Sequence, residues 1–249
     1  RLRVASDGIE FWLGDADSAA VLAQLRQRRF DAVVLTLTPR EFTPTAYERA
    51  YVETLRNLLP VWRNAPPGLI LLVSSTSVYP QTDGEWVDEE SPTEPVHFAG
   101  ASLLRAEGLL AGSGLVNSIV RFGGIYGPGR DFLLRQVREG IGGSSHNTNR
   151  IHVDDCAGLL AHLLQRHWQG KALESVYLGC DSDPAPGIEV RRWLAQRLGL
   201  NPDRLVPSES ARGGNKRCAN RRLRESGYTL LYPSYKDGYS TLLASGEIG

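Results

Sequence analysis

Three short apolar runs, at 32–37, 69–73 and 115–122, constrain this chain more than any other feature. Each is too short for a helix and is bounded by polar or turn residues, so each reads as a strand. The run at 32–37 is rich in β-branched residues and has the pattern of a strand buried on both faces. Stretches with helical spacing lie between the runs. Asp17 is placed to cap a helix carrying Ala20, Leu22 and Leu25. A longer helix from 47 to about 59 keeps Val52, Leu55, Leu58 and Leu59 on one stripe, and Pro60 and Pro66-Pro67-Gly68 close it. Another covers about 99–111, and a further strand is expected at 9–13. Strands alternating with helices of this size make βαβ units, hence a parallel sheet with right-handed crossovers.

Beyond 122 the elements shorten. A helix is expected near 131–139, another over 153–167, a strand at 176–178 and a helix near 187–198, before an Arg-rich stretch and a Tyr-rich tail. The expected body is a single α/β unit with a smaller C-terminal lobe.

Composition excludes several classes. Lys and Arg number 28 against 28 Asp and Glu, so the formal charge is zero, unlike a general nucleic-acid binder or a polybasic membrane-surface protein. Cys156, Cys180 and Cys218 are odd in number and widely spaced, which makes neither a disulfide framework nor a zinc site. A reducing, cytoplasmic compartment is therefore expected. The longest apolar run is far short of the ~20 residues that span a bilayer, and no membrane segment is expected. His152, Asp154, Asp155, Cys156 and His162 fit no standard metal spacing; Asp154 or Asp155 instead suits a helix N-cap. His97, His146 and His167 read as surface or loop residues. No Gly-x-Ser-x-Gly elbow is present, which argues against a serine hydrolase.

In open α/β sheets ligands bind outside the carboxyl ends of the strands. Those ends are Asp15, the stretch 36–39, the stretch 74–79 and the stretch 122–130, and every one is polar or glycine-containing.

Several of these ends resemble the extended short-chain dehydrogenase/reductases, the NAD(P)-dependent sugar-nucleotide epimerases and dehydratases. Val73-Ser74-Ser75-Thr76-Ser77-Val78-Tyr79 is similar to the segment carrying that family's catalytic hydroxyl. Arg121-Phe122-Gly123-Gly124-Ile125-Tyr126-Gly127-Pro128 resembles its Tyr-Gly-Pro strand, and Arg150-Ile151-His152-Val153-Asp154-Asp155 the opening of its substrate lobe. Asn57-Leu58-Leu59 ends a helix as the family's does. The stretches Gly214-Asn215-Lys216-Arg217 to Ser226-Gly227-Tyr228 and Tyr232-Pro233 look most like bacterial sugar-nucleotide-epimerase-related proteins, an atypical branch. The resemblance implies a Rossmann-type doubly wound parallel sheet, with an NAD(P)-binding domain over 1–150 and mainly a small substrate lobe over 151–249. It implies NAD or NADP as cofactor and a nucleotide sugar as ligand; members are often dimers.

Two departures limit what carries over. The family opens on a strand, a Gly-x-x-Gly-x-x-Gly turn and a helix, which hold the pyrophosphate. Nothing like it lies before Ile9, so this first βα unit, about 30–40 residues, is expected ahead of Arg1. Arg1 and Arg3 would then sit where a cation could accept an NADP 2′-phosphate, or in a solvated loop. The glycines at 140–143 follow a helix and read as its C-cap and loop. The second departure is chemical. The family uses a Tyr and a Lys four residues later as an acid/base pair. Aligning Glu107 with the acid of the family's helix puts Ala99 and Leu103 at those positions, and a one-residue shift offers Phe98 and Ser102. The usual catalysis therefore does not carry over. The alternative is a non-catalytic dinucleotide-binding sensor or scaffold.

What the resemblance implies residue by residue is as follows. Ser75 retains the catalytic hydroxyl, or caps the strand end locally. Tyr79 is the candidate substitute acid, or packs on the next loop; Tyr126 is a second phenol. Asp15 would accept from the adenine amino group, or serve as a turn residue. Leu37, Thr38, Ser74, Phe122, Gly123 and Gly124 would line the dinucleotide, the two glycines by allowing close backbone approach. Thr76, Tyr126, Arg130, Lys216 and Arg217 would meet the substrate. The cluster of Arg212, Lys216, Arg217, Arg221, Arg222 and Arg224 suits a diphosphate, with Arg222 and Arg224 better read as a solvated helix face.

Overall fold

The alternation of side chains along a strand decides the layering here. In a computed structural model, which describes residues 9–10, 12–208 and 214–245, the first half folds as α1 (Ala19–Arg26), β1 (Ala32–Leu35), α2 (Pro44–Tyr47), a π-helical turn (Glu48–Glu53) and α3 (Thr54–Leu58). A 3-10 turn (Leu59–Trp62), β2 (Leu69–Ser75), a second 3-10 turn (Thr76–Val78), β3 (Glu85–Val87), α4 (Phe98–Ala111) and β4 (Asn117–Phe122) follow. Then come β5 (Gly124–Tyr126), α5 (Phe132–Arg138), β6 (Ile141–Gly143), β7 (Asn147–Thr148), β8 (Arg150–His152) and α6 (Val153–Trp168). The chain ends with β9 (Val176–Gly179), β10 (Ala185–Pro186), α7 (Gly187–Arg197), β11 (Val206–Pro207), β12 (Lys216–Cys218), α8 (Arg221–Glu225) and α9 (Tyr235–Ser245).

The central sheet has the order β1-β2-β4-β9 and is parallel throughout. Along β2, Ile70 and Leu72 point into one apolar layer with Leu55, Leu58, Leu103 and Leu110 of α3 and α4. Leu69 and Leu71 point into the other, with Leu159 and Leu163 of α6. This two-faced burial is the Rossmann-type arrangement, with helices on both sides of a parallel sheet. A third apolar cluster, holding Leu134, Val137, Val190, Leu194, Tyr239 and Leu242, is the core of the lobe formed by α5, α7 and α9. The two parts interleave: β9 enters the central sheet, and β12 returns to pair with β3. No helix among the described residues is long and apolar enough to cross a membrane.

Several expectations need correction. β1 is buried on neither face throughout; only Leu35 is buried and Val34 is 38% exposed, because β1 pairs with β2 alone and forms an edge of the sheet. The expected strand at 9–13 is reduced to a bridge at Glu10, with Leu13 88% exposed; Phe11 lies outside the described residues, as do Arg1, Arg3 and Arg212. Ser18, not Asp17, caps α1, its Oγ accepting from the Val21 amide. Asp17 is buried instead and takes hydrogen bonds from Arg49 (2.5 and 3.1 Å) and Asn57 (2.9 Å), so its carboxyl lies below the usual range: burial opposes ionisation, but these donors win. The helix at 47–59 is not uniform. Thr54 Oγ1 donates to the Arg49 carbonyl five residues back, matching the wider π turn there. Gly142 and Gly143 belong to a strand, β6, paired with β11. Arg222 is no solvated residue: it donates to the Val176 carbonyl and to Glu90 (2.5 Å).

The start of α6 shows how the tail is fixed. His152 caps it, Nδ1 accepting from the Asp154 amide. That frees Asp155, which is fully buried, to accept from Tyr228 Oη (2.9 Å), Leu231 N (2.7 Å) and Tyr232 N (3.0 Å). One carboxylate thus anchors the segment leading to α9. Asp155→Ala strands those donors and should cost roughly 2–4 kcal/mol in urea melts, with faster hydrogen exchange at Leu231 and Tyr232. A change under half a kcal/mol would contradict this anchor.

Candidate functional site

The parallel strands end together, and their register lines up Ser75, Phe122 and Gly179 across the C-terminal edge of the sheet. Beside that edge, past the end of β1, lies a cleft of about 300 Å³ lined by Asp15, Asp17, Leu37, Thr38, Arg40 and Arg49, with Ala50 and Thr54 closing it. Asp15 stands exposed at its rim and accepts from Arg40 at 2.7 Å. A larger hollow of about 400 Å³, between Thr93–Pro95 and Ala101, Leu104 and Arg105, lies on the outward face of α4. The strand-end cleft is the better candidate, because it sits where open parallel sheets bind ligands.

Behind Ser75 runs a buried polar network. Ser74 Oγ donates to Glu107 Oε1 at 2.5 Å, and Arg121 makes a forked ion pair with the same carboxylate, the closest contact 2.7 Å. Arg121 Nη1 also donates to Tyr79 Oη at 2.7 Å, and its guanidinium lies over the Tyr79 ring. All four residues are buried. Ser74 thus directs its hydroxyl inward, and burial drives the Tyr79 phenol well above its ordinary range despite the neighbouring Arg121. Ser75 itself caps the following 3-10 turn, Oγ accepting from the Ser77 amide at 3.1 Å. An oxygen that accepts there still has its own proton to donate. Thr76 is buried in that turn.

The helix face aligned with the family's acid/base pair is closed. Ala99 and Leu103 are 8% and 4% exposed, and Leu103 packs in the core with Leu110 and Ile119. A Cβ on Gly100 would lie 2.3 Å from the Ser77 carbonyl, so α4 rests directly on the turn after β2. Phe98 and Ser102, the shifted register, bring no acid/base group either: Phe98 joins an aromatic cluster with Phe42 and Tyr47, and Ser102 is buried.

The remaining expected residues have partners of their own. Phe122 is buried. A Cβ on Gly123 would come within 3.0 Å of Asn149 and Cys180 Sγ, so internal packing already accounts for that glycine. Gly124 is exposed and donates to the Asn149 carbonyl. Tyr126 is buried and stacked on Tyr239 at 4.4 Å, and burial raises its phenol far above the ordinary range. Arg130 is exposed, its amide bonded to Gly127. Lys216 is buried, its Nζ donating to the Tyr79 carbonyl at 3.2 Å, and burial lowers its pKa. Arg217 donates to the Gly84 carbonyl and lies over the Trp86 ring. Lys216 and Arg217 are therefore built into the β3–β12 junction, where no diphosphate is needed to explain them. No metal-binding cluster of His, Cys, Asp or Glu occurs among the described residues.

The sequence reading missed two features. His97, expected on a loop, caps α4 and stacks on Phe42; a His immediately before a helix was the available signal. Asp181 is also fully buried, beside Arg150 and Tyr126, and nothing in its Asp-rich turn announced it.

The comparisons place this architecture. No family model matches the chain. A solved NAD-dependent epimerase/dehydratase structure from Methylobacillus flagellatus is 36% identical, with a TM-score of 0.80 over 98% of this chain and 86% of that one. The chain belongs to the NAD-dependent epimerase/dehydratase family of the extended short-chain dehydrogenase/reductases. Protein YeeZ of Escherichia coli K12 is 29% identical over 82% of this chain and 72% of that protein. A 3-diazoavenalumate denitrifying reductase of Streptomyces is 27% identical over 89% and 83%. Two more distant structures share the fold: human SDR39U1 with NADPH, at 21% identity and TM-score 0.75 over 90% of this chain and 86% of that one, and DesIV, a dTDP-glucose 4,6-dehydratase from Streptomyces venezuelae with NAD bound, at 21% and 0.76 over 93% and 77%.

Burial pushes the Asp181 carboxyl up to about 7; Arg150 and the Asp183 amide pull the other way, and the Asp183 and Asp155 carboxylates add to the rise. The folded protein then holds this proton more tightly than the unfolded chain does. Stability is lost as pH rises from about 4 through about 7. Relative to Asp181→Asn, which cannot ionise, the wild type should lose roughly 2–3 kcal/mol between pH 5 and pH 8 in urea melts. A difference independent of pH would contradict it.

Proposed function

We propose that this protein binds NAD or NADP along the C-terminal edge of its parallel sheet and handles a small-molecule ligand beside it without a Tyr/Lys acid–base pair. The carrying observation is the cleft past β1, where an acceptor (Asp15), an apolar wall (Leu37, Ala50) and a hydroxyl (Thr38) meet at the sheet's C-terminal edge. Its volume, at the lower end for ligand pockets, suits an adenosine half better than a whole dinucleotide. Asp15 would accept from the adenine amino group, and the backbone at Leu37 and Thr38 would flank it. What the cofactor would supply is reversible hydride transfer.

Around the reacting centre this chain's own residues do three things. Ser75 offers an O–H at a strand end, suited to orienting a substrate oxygen. The network behind it holds that strand end still. The buried phenols of Tyr79 and Tyr126 are poor proton donors and acceptors at neutral pH, so the proton comes from elsewhere in the ligand site or from water. DesIV, a fold neighbour, favours a nucleotide sugar as the ligand, although the basic residues expected to hold its diphosphate are engaged in the β3–β12 junction. The closed face at Ala99 and Leu103 favours a second reading, a dinucleotide-binding sensor that performs no turnover.

Calorimetric titration of NADH and NADPH should show micromolar binding of one of them, weakened about tenfold in Asp15→Ala. Absence of binding for both overturns the reading. With cofactor bound, a panel of nucleotide sugars then separates the two forms. Turnover abolished in Ser75→Ala supports the enzyme, and no turnover with intact binding supports the sensor.

A further inference from the structure

An aromatic shelf continues the wall of the strand-end cleft. The loop after β1 supplies Leu37, Thr38 and Arg40 to the cleft and, two residues further on, Phe42 to the shelf. Phe42 is 43% exposed, a large apolar ring beside a ligand-sized hollow. It stacks on His97 (centroids 5.4 Å, 21° between planes) and packs on Phe98 at 5.0 Å. Phe98 lies 4.2 Å from His97 and edge-on to Tyr47 at 5.3 Å, and Tyr47 leads to Tyr51 at 5.6 Å. The shelf thus bridges the loop after β1, the π-helical turn and the start of α4. It stands immediately before Ala99 and Leu103.

His97 gives the shelf direction. Its Nδ1 accepts from the Ala99 amide at 3.3 Å, and a nitrogen that accepts an amide proton carries none. The neutral ring therefore holds its proton on Nε2, as a donor whose orientation the helix cap fixes. The charges nearby in the chain, Arg105 of α4 and Glu48 of the π-helical turn, bond to each other. The shelf consequently offers ring contacts and one neutral donor, a combination for an uncharged flat group with an acceptor oxygen.

We propose that Phe42, His97 and Phe98 form a subsite for a planar, conjugated ring bearing a carbonyl oxygen, the ring packing on the aromatic cluster and the oxygen accepting from His97 Nε2–H. The assignment of this ring to the reacting ligand rests on the reading that the adjoining cleft holds the dinucleotide; the ring site itself does not. A nucleobase and a quinone share the recognising chemistry, and the test separates them.

UDP-glucose and the naphthoquinone menadione are titrated separately into the full chain, with and without NADPH, and into Phe42→Ala and His97→Asn. Phe42 is partly exposed, and Asn can accept the same amide hydrogen bond at a helix N-cap, so both variants keep the fold. At least one probe should bind the wild type, and both variants should weaken it about tenfold while NADPH affinity stays unchanged. Weakened UDP-glucose assigns the ring to a nucleobase, and weakened menadione assigns it to a quinone-like substrate. The proposal is overturned if neither probe binds, if the variants bind like wild type, or if they lose NADPH instead, which would make the shelf part of the cofactor site. Probe binding on the shelf without any NADPH binding would sink the cofactor reading and leave the subsite standing.

Discussion

The buried Glu107–Arg121 ion pair is the interaction on which the strand-end geometry depends. It joins α4 to β4, and through Ser74 and Tyr79 it reaches β2 and the turn that follows. Two charges taken out of water are tolerated only when good geometry and further hydrogen bonds compensate them. Here the forked contact does so, with a hydroxyl and a phenol taking up the remaining capacity. Tyr79 is held at both ends, its oxygen by Arg121 and its carbonyl by Lys216, and the lysine brings β12 against the same turn. The C-terminal segment is thereby tied to the edge of the sheet where a ligand would lie.

That arrangement decides which chemistry is open. Ser74, Tyr79 and Lys216 would be functional groups if they faced solvent; inside the protein they position Ser75 and close the base of the site. Leu103 and Ala99 complete the closure from the helix side. What faces outward is a short inventory: the Ser75 hydroxyl, the Asp15 carboxylate with Arg40, and the His97–Phe42 edge. A protein with this inventory can bind and orient, and any proton it moves must come from a different residue type than the family's phenol.

Much of the architecture was legible in residue patterns, because strongly apolar runs and helical stripes survive tertiary packing. The 69–73 run became β2, the Val52, Leu55 and Leu58 stripe became the buried side of α3 and the turn before it, and the strand-end rule located the cleft. Polar residues were harder. Asp17 and Asp155 both looked like helix caps, and both are buried acceptors for distant partners while Ser18 and His152 do the capping. Pattern alone assigns a polar residue to its local backbone, whereas Asp17 finds Arg49 and Asp155 finds the 228–232 segment only once the chain has folded. Lys216 and Arg217 were misjudged for the same reason: a basic cluster reads as exposed until burial and a carbonyl partner are known.

The central claim is that the Glu107–Arg121 pair holds the sheet's C-terminal edge together, and a double-mutant cycle tests it most directly. Glu107→Gln and Arg121→Met, singly and combined, would be compared by urea denaturation. Each single variant leaves a buried group uncompensated and should lose about 3–5 kcal/mol, while the double variant should recover much of that loss, giving a coupling energy of a few kcal/mol. Additive losses, or single variants as stable as the wild type, would contradict the account.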